Sequence, residues 1–201
     1  TSNKLDDRDA DFMIYGSTTQ TNQYFGRTFD VNDNYLVVGS AWYDDGGNAS
    51  SGTIWVLDVN DSYNELIRFT PSDAGQSSMY GYITLLTDDD TLFVSQVGDN
   101  DGKFFKYDLS GGISGLTNSA ETVELGSNYG YYMSLVENKL YVGAQGGADD
   151  KLYVYDVSDL SIIHEFGPDS DVPYGTAGTE SIGPSSLNGV TVSQSDNVFT
   201  V

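Results

Sequence analysis

The chain of 201 residues contains no cysteine, one histidine, and only eight lysines and arginines against 30 aspartates and glutamates. Without thiols there is no disulfide framework and no cysteine-based metal site, and the redox compartment cannot be read from them. The lone histidine, His164, is the sole candidate for the proton shuttle of a Ser-His-acid relay, and it rules out a histidine-rich zinc site. Its place between Ile163 and Glu165, inside an apolar run, marks it instead as an outer-strand residue facing solvent or an acid. A formal net charge of −22 repels phosphate backbones and anionic bilayers, which argues against nucleic acid as a partner and leaves divalent cations compatible with the surface. No stretch approaches the roughly 18 apolar residues of a membrane span, so no membrane insertion is expected. No glycine-rich phosphate loop precedes a helix, and the chain opens at Thr1 without a signal-like segment, as expected of a processed protein or a piece of a longer one. Proline (4) and methionine (3) are scarce, whereas 23 glycines, 15 tyrosines and 9 phenylalanines favour short strands and tight turns. The composition predicts an all-β protein.

What is present is a repeat. Three alternating apolar runs close on aspartate: Gly52-Thr53-Ile54-Trp55-Val56-Leu57-Asp58, Gly102-Lys103-Phe104-Phe105-Lys106-Tyr107-Asp108, and Lys151-Leu152-Tyr153-Val154-Tyr155-Asp156. The period is about 50 residues. Each run is preceded by an aromatic-glycine pair, Phe25-Gly26, Tyr80-Gly81 or Tyr129-Gly130. A strand follows each pair, as Tyr35 to Gly39, Leu92 to Ser95 and Leu140 to Ala144. Between pair and strand lie the tips Asn32-Asp33-Asn34, Asp88-Asp89-Asp90 and Glu137-Asn138-Lys139, whose side chains cap their own backbone and mark hairpins. A last strand follows each closing aspartate, at Glu65 to Phe69, Thr122 to Leu125 and Ile162 to Phe166.

Four strands per period make one antiparallel blade. A lone blade leaves both faces open, so its stability requires neighbours packed face to face around an axis, which is a β-propeller. On this reading residues 1–201 form a single propeller region with complete blades at 24–69, 79–125 and 129–166, and partial blades at 11–16 and 182–201. Either the two ends share one blade, which then lacks its third strand, or the chain is a segment of a larger propeller. The second arrangement is the expectation.

The pattern Phe25-Gly26, Leu36-Val37-Val38-Gly39-Ser40, Ser51-Gly52 to Asp58 resembles the FG-GAP repeat of integrin α-chain propellers and their microbial and viral relatives. The third unit repeats it with Tyr129-Gly130 and Val142-Gly143-Ala144, whereas the second carries Ser95 in place of the glycine. The resemblance implies an extracellular, cell-surface or virus-particle location, and adhesion, ligand binding or particle architecture as function. It also implies calcium loops of the Asp-x-Asp-x-Asp-Gly kind. Asp99-Asn100-Asp101-Gly102 comes nearest, making Asp99 and Asp101 the candidate metal ligands, although Val97 stands where the first acid belongs.

In an up-and-down blade the loops from strand two to three, and from strand four to the next blade, emerge at one end. Asp44, Asp45, Asp99, Asp101, Asp149 and Asp150 are therefore expected to ring one face, where a bound cation would relieve their repulsion. The longest such loop, Ala41 to Gly52, adds Trp42 and Tyr43, and aromatics beside the acids Asp44 and Asp45 form the candidate ligand site. The competing reading tucks Trp42 between blades. The sequons Asn48-Ala49-Ser50 and Asn60-Asp61-Ser62 are compatible with exposure. Together these features predict a non-enzymatic structural or adhesive module that binds a protein or glycan on a cell surface or particle, with self-assembly of copies as a further expectation. The alternatives are a lectin-like, carbohydrate-binding propeller and the non-catalytic propeller domain of a secreted hydrolase.

Overall fold

The computed structural model describes residues 14, 16–17, 20, 23–98, 102–118, 121–126, 129–144, 151–166, 193–195 and 198–200. The expected partial blade at 11–16 is thus described only at Ile14 and Gly16, and that at 182–201 only at a short hairpin.

The chain is all-β. Three four-stranded antiparallel sheets follow one another, each with its strands in chain order. The first comprises β1 (Thr28–Val31), β2 (Tyr35–Ser40), β3 (Thr53–Asp58) and β4 (Asn64–Phe69). The second comprises β5 (Tyr80–Leu86), β6 (Thr91–Gln96), β7 (Gly102–Asp108) and β8 (Glu121–Gly126). The third comprises β9 (Tyr129–Val136), β10 (Lys139–Ala144), β11 (Leu152–Asp156) and β12 (Ile162–Phe166), and β13 (Ser193–Ser195) pairs with β14 (Val198–Thr200). One helical turn, α1 (Gly115–Asn118), joins β7 to β8.

The aspartates that close β3, β7 and β11 have a common local reason. Asp58 accepts the amide of Asn60 at 2.8 Å, Asp108 that of Ser110 at 2.9 Å, and Asp156 that of Ser158 at 2.8 Å. Each carboxylate thereby turns the chain out of its strand. The intervening amide bonds back to the hairpin tip, Val59 to Asn34 (3.1 Å), Leu109 to Asp90 (2.9 Å) and Val157 to Asn138 (3.1 Å). The tips are built from the same chemistry, since Asn32 Oδ1 accepts the amides of Asn34 and Tyr35 at 2.9 and 2.8 Å.

Strand alternation sends residues to two faces, and both are buried. Val37, Ile54 and Val56 of the first sheet share a core with Leu92, Val94, Phe105 and Tyr107 of the second. Phe93 and Phe104, on the other face of the second sheet, share a core with Leu140, Val142, Tyr153 and Tyr155 of the third. The opposite face of the first sheet gathers Leu36, Val38, Trp55 and Leu57 with Ile14 and Phe25. The sheets therefore pack in series, face on face. The joints are close: β5 lies against β1 and β2, and β9 against β5, β6 and β7.

Glycine is required at these joints. Gly52 opens β3 at φ +83° and forms a parallel bridge with Tyr80, and a Cβ there would lie 2.8 Å from the Tyr80 carbonyl carbon and nearer still to its oxygen and nitrogen. Gly102 opens β7 equally close to the next sheet, the Tyr129 Cα lying 2.8 Å from where a Cβ would be. Side chains of β1 also satisfy donors on β5: Thr28 Oγ1 accepts the Thr84 amide at 3.1 Å and Asp30 that of Leu86 at 2.8 Å. Asn32 and Asn34 donate to the Asp90 carboxylate at 2.8 and 2.9 Å. An otherwise unpaired strand edge is closed by the preceding sheet.

Candidate functional site

The β2–β3 loop and the segment that leads into β5 meet at one end of the sheets. The amides of Ser77, Met79 and Tyr80 donate to the carbonyls of Ala49, Ser50 and Ser51 at 2.8, 3.0 and 3.0 Å. Within the loop, Tyr43 returns to Ser40 (3.2 Å) and Gly52 to Tyr43 (2.9 Å), so the excursion is pinned at its base.

The four sequence-derived binding candidates divide into separate roles. Tyr43 is only 3% exposed: its ring meets Trp55 edge-on at 5.4 Å, the Arg68 guanidinium lies 4.9 Å over it, and Arg68 donates to its hydroxyl. The turn from Ser40 folds the ring onto the first-sheet core, so Tyr43 offers no open ring face at the candidate ligand site. Asp45 pairs with Arg68 at 3.3 Å, completing an anchor that ties the loop to β4. Asp44 is exposed; its carboxylate accepts the Ser50 amide at 2.6 Å, and its backbone is clasped by the Gln20 amide group at 2.8 and 2.9 Å.

Trp42 turns away from these acids. It is half-buried, with Tyr24 at 5.3 Å on one side and Tyr82, from β5 of the next sheet, at 5.8 Å on the other. The Arg27 guanidinium lies over both, 4.3 Å from the Trp42 centroid and 4.8 Å from that of Tyr82, and donates to the Tyr82 hydroxyl at 3.1 Å. Tyr82 in turn meets Tyr131 of β9 edge-on at 5.1 Å. The result is a row, Tyr24–Trp42–Tyr82–Tyr131, that crosses all three sheets and carries one cation. Burial raises the Tyr131 and Tyr132 phenols above the ordinary range, with Tyr82 adding to both, so they are protonated donors at neutral pH.

Sequence reasoning missed Tyr24, Arg27, Tyr82 and Tyr131. The signal was available, because Arg27, Tyr82 and Tyr131 each directly follow the aromatic-glycine pair of their repeat, and equivalent positions in stacked sheets become neighbours. Tyr24 is 56% exposed and Arg27 is exposed, so the row opens to solvent at its first-sheet end.

Asp99, Asp101, Asp149 and Asp150 lie outside the described residues. Among the described residues no three acidic or histidine side chains converge on a point that would hold a metal ion. His164 is exposed on β12, its ring 6.0 Å from Phe166. Among the described residues no helix is long and apolar enough to cross a membrane. No family model, curated protein or solved structure matches the chain.

Proposed function

We propose that the three sheets are consecutive blades of a β-propeller, and that the chain is a non-enzymatic, extracellular structural or adhesive module of a cell surface or virus particle. The observation that carries the reading is the recurrence of one joint. Gly52 against Tyr80 and Gly102 against Tyr129 each bring the start of a sheet's first strand into close contact with the start of the preceding third strand. Repetition of a face-to-face joint with a fixed rotation generates a ring or a superhelix, and four-stranded up-and-down sheets are the unit of the ring. Propeller ligands are then taken by the end where the β2–β3 loop and the β4–β5 segment meet.

The partner is a protein or glycan displayed on a cell or particle. The aromatic row favours contact with a folded or saccharide surface, since aromatics and arginine dominate binding patches and need little ordering to engage. The net charge of −22 favours a soluble, outward-facing role over nucleic-acid contact. Calcium at the loop holding Asp99 and Asp101 belongs to the same proposal; a chelator that leaves the melting temperature unchanged removes it. A membership of a secreted hydrolase as its non-catalytic propeller remains the competing reading, and the full reading frame decides it.

The test is a binding screen of the 201-residue chain against glycans, cell-surface proteins and particle proteins. The proposal expects saturable binding that is lost on changing Tyr24, Arg27 or Trp42. A monomeric protein that binds nothing across the screen contradicts it.

A further inference from the structure

We propose that the first-sheet end of the aromatic row is a binding site for a carboxylated sugar, its carboxylate held by the Arg27 guanidinium and its ring face packed on Tyr24. The inference rests on the reading of the chain as a binding module and names the chemistry of its ligand.

In a chain with 30 acids and eight cations, a basic side chain has acids in excess to pair with. Arg68 pairs with Asp45, Lys103 with Asp73 and Lys151 with Glu165. Arg27 meets no carboxylate among the described residues; its contacts there are two ring faces and one phenol. A guanidinium carries five N–H donors, and the bond to Tyr82 uses one. An exposed arginine held in place by aromatic faces, with one printed bond for its five donors, is organised in advance for an anionic planar group.

The two later repeats carry Tyr82 and Tyr131 where the first carries Arg27, so the cation is particular to the first sheet. It already occupies the cation position over Trp42 and Tyr82, whose planes are inclined by 49°, and a basic ligand would meet like charge there. Tyr24 offers the most exposed ring of the row, beside Trp42, and the C–H face of a pyranose packs on such a ring. The Tyr82 hydroxyl, which accepts from Arg27, keeps its own proton to donate to a sugar hydroxyl. Trp42 then acts by holding Arg27 rather than by stacking on the ligand, because one of its faces is covered by the guanidinium.

The experiment is a titration of the 201-residue chain with uronate- and sialate-bearing oligosaccharides, each beside its carboxyl-reduced neutral form, with an acidic peptide and neutral glycans in the same series. The acidic forms are expected to bind about 10- to 100-fold tighter than the reduced forms, the worth of a charge-assisted bond. Arg27→Gln should abolish that preference, Arg27→Lys should retain only part of it because the forked donor is lost, and Tyr24→Ala should weaken both forms alike. If Arg27→Gln does not fold, the Lys and Tyr24 variants carry the test. Equal affinity for acidic and reduced forms, an undiminished preference in the arginine variants, or capture of the acidic peptide alone overturns the proposal. Binding of neutral glycans or surface proteins without acidic sugars overturns it while leaving the binding-module reading intact, and no binding at all overturns both.

Discussion

Replacing Gly52 by alanine tests the joint between the first two sheets. Two costs add. A non-glycine residue at φ +83° costs about 1 kcal/mol in the left-handed region. The new methyl also overlaps the Tyr80 backbone, forcing β5 away and breaking the bonds from Tyr80 to Ser51 and from Met79 to Ser50, both 3.0 Å. At about 1 kcal/mol each these bring the loss to about 3 kcal/mol, or a fall in melting temperature of about 6–12 °C for a chain of this size. Two companions separate the terms. Gly46, at φ +60° with nothing within 4 Å of a Cβ, should show the backbone cost alone on Gly46→Ala, about 2–4 °C. Gly102 has no positive φ but would press on Tyr129, so Gly102→Ala should show the overlap alone, about 4–8 °C. Thermal unfolding followed by circular dichroism reads all three. If Gly52→Ala falls no further than Gly46→Ala, or Gly102→Ala matches the parent, the sheets are not joined as described.

Other expectations follow from single contacts. Tyr80 donates to Tyr107 at 3.0 Å in a buried pair, so Tyr107→Phe should cost about 1–3 kcal/mol by leaving the Tyr80 hydroxyl unpaired, and the double Phe variant should recover part of it in urea unfolding. Bonds from Ser110, Ser158 and Ser161 hold the carboxyls of Asp108, Asp156 and Asp159 below the ordinary aspartate range. Their contribution is present above the unfolded value near 3.9 and disappears as pH falls through the lower folded values, so stability should decline in acid and Asp108→Ala should flatten that decline. Burial pushes the Tyr80 and Tyr107 phenols well above the ordinary value; their neutral forms favour the fold below pH ~10, and alkaline titration should release them only with unfolding. Trp55 is 1% exposed and Trp42 half-buried, so Arg27→Ala should shift tryptophan emission through Trp42 alone, and the shift should vanish in a Trp42→Phe background.

Strand positions were legible because a strand buried on both faces reads as a short unbroken apolar run between turn residues. Leu36, Val37 and Val38 send side chains to two different cores, and the three aspartate-closed runs end at Asp58, Asp108 and Asp156 as β3, β7 and β11 do. The hairpin tips were legible because asparagine and aspartate report their own turns. The fate of the Ala41 to Gly52 loop was not, since nothing local to Trp42 and Tyr43 says that one joins Arg27 while the other joins Arg68. That division depends on β1, β4 and β5 arriving from elsewhere in the chain. The aromatic row was hidden for the same reason: Arg27, Tyr82 and Tyr131 are some 50 residues apart, and only stacking of the repeats brings them together.

The most direct test of the central proposal is a cryo-electron microscopy map of the intact protein that contains this chain. The account predicts radial four-stranded blades around an axis, with β1, β5 and β9 innermost and the Arg27–Tyr82–Tyr131 row on one end. Sheets stacked in a line without a common axis, or β1, β5 and β9 on the outer rim, would contradict it.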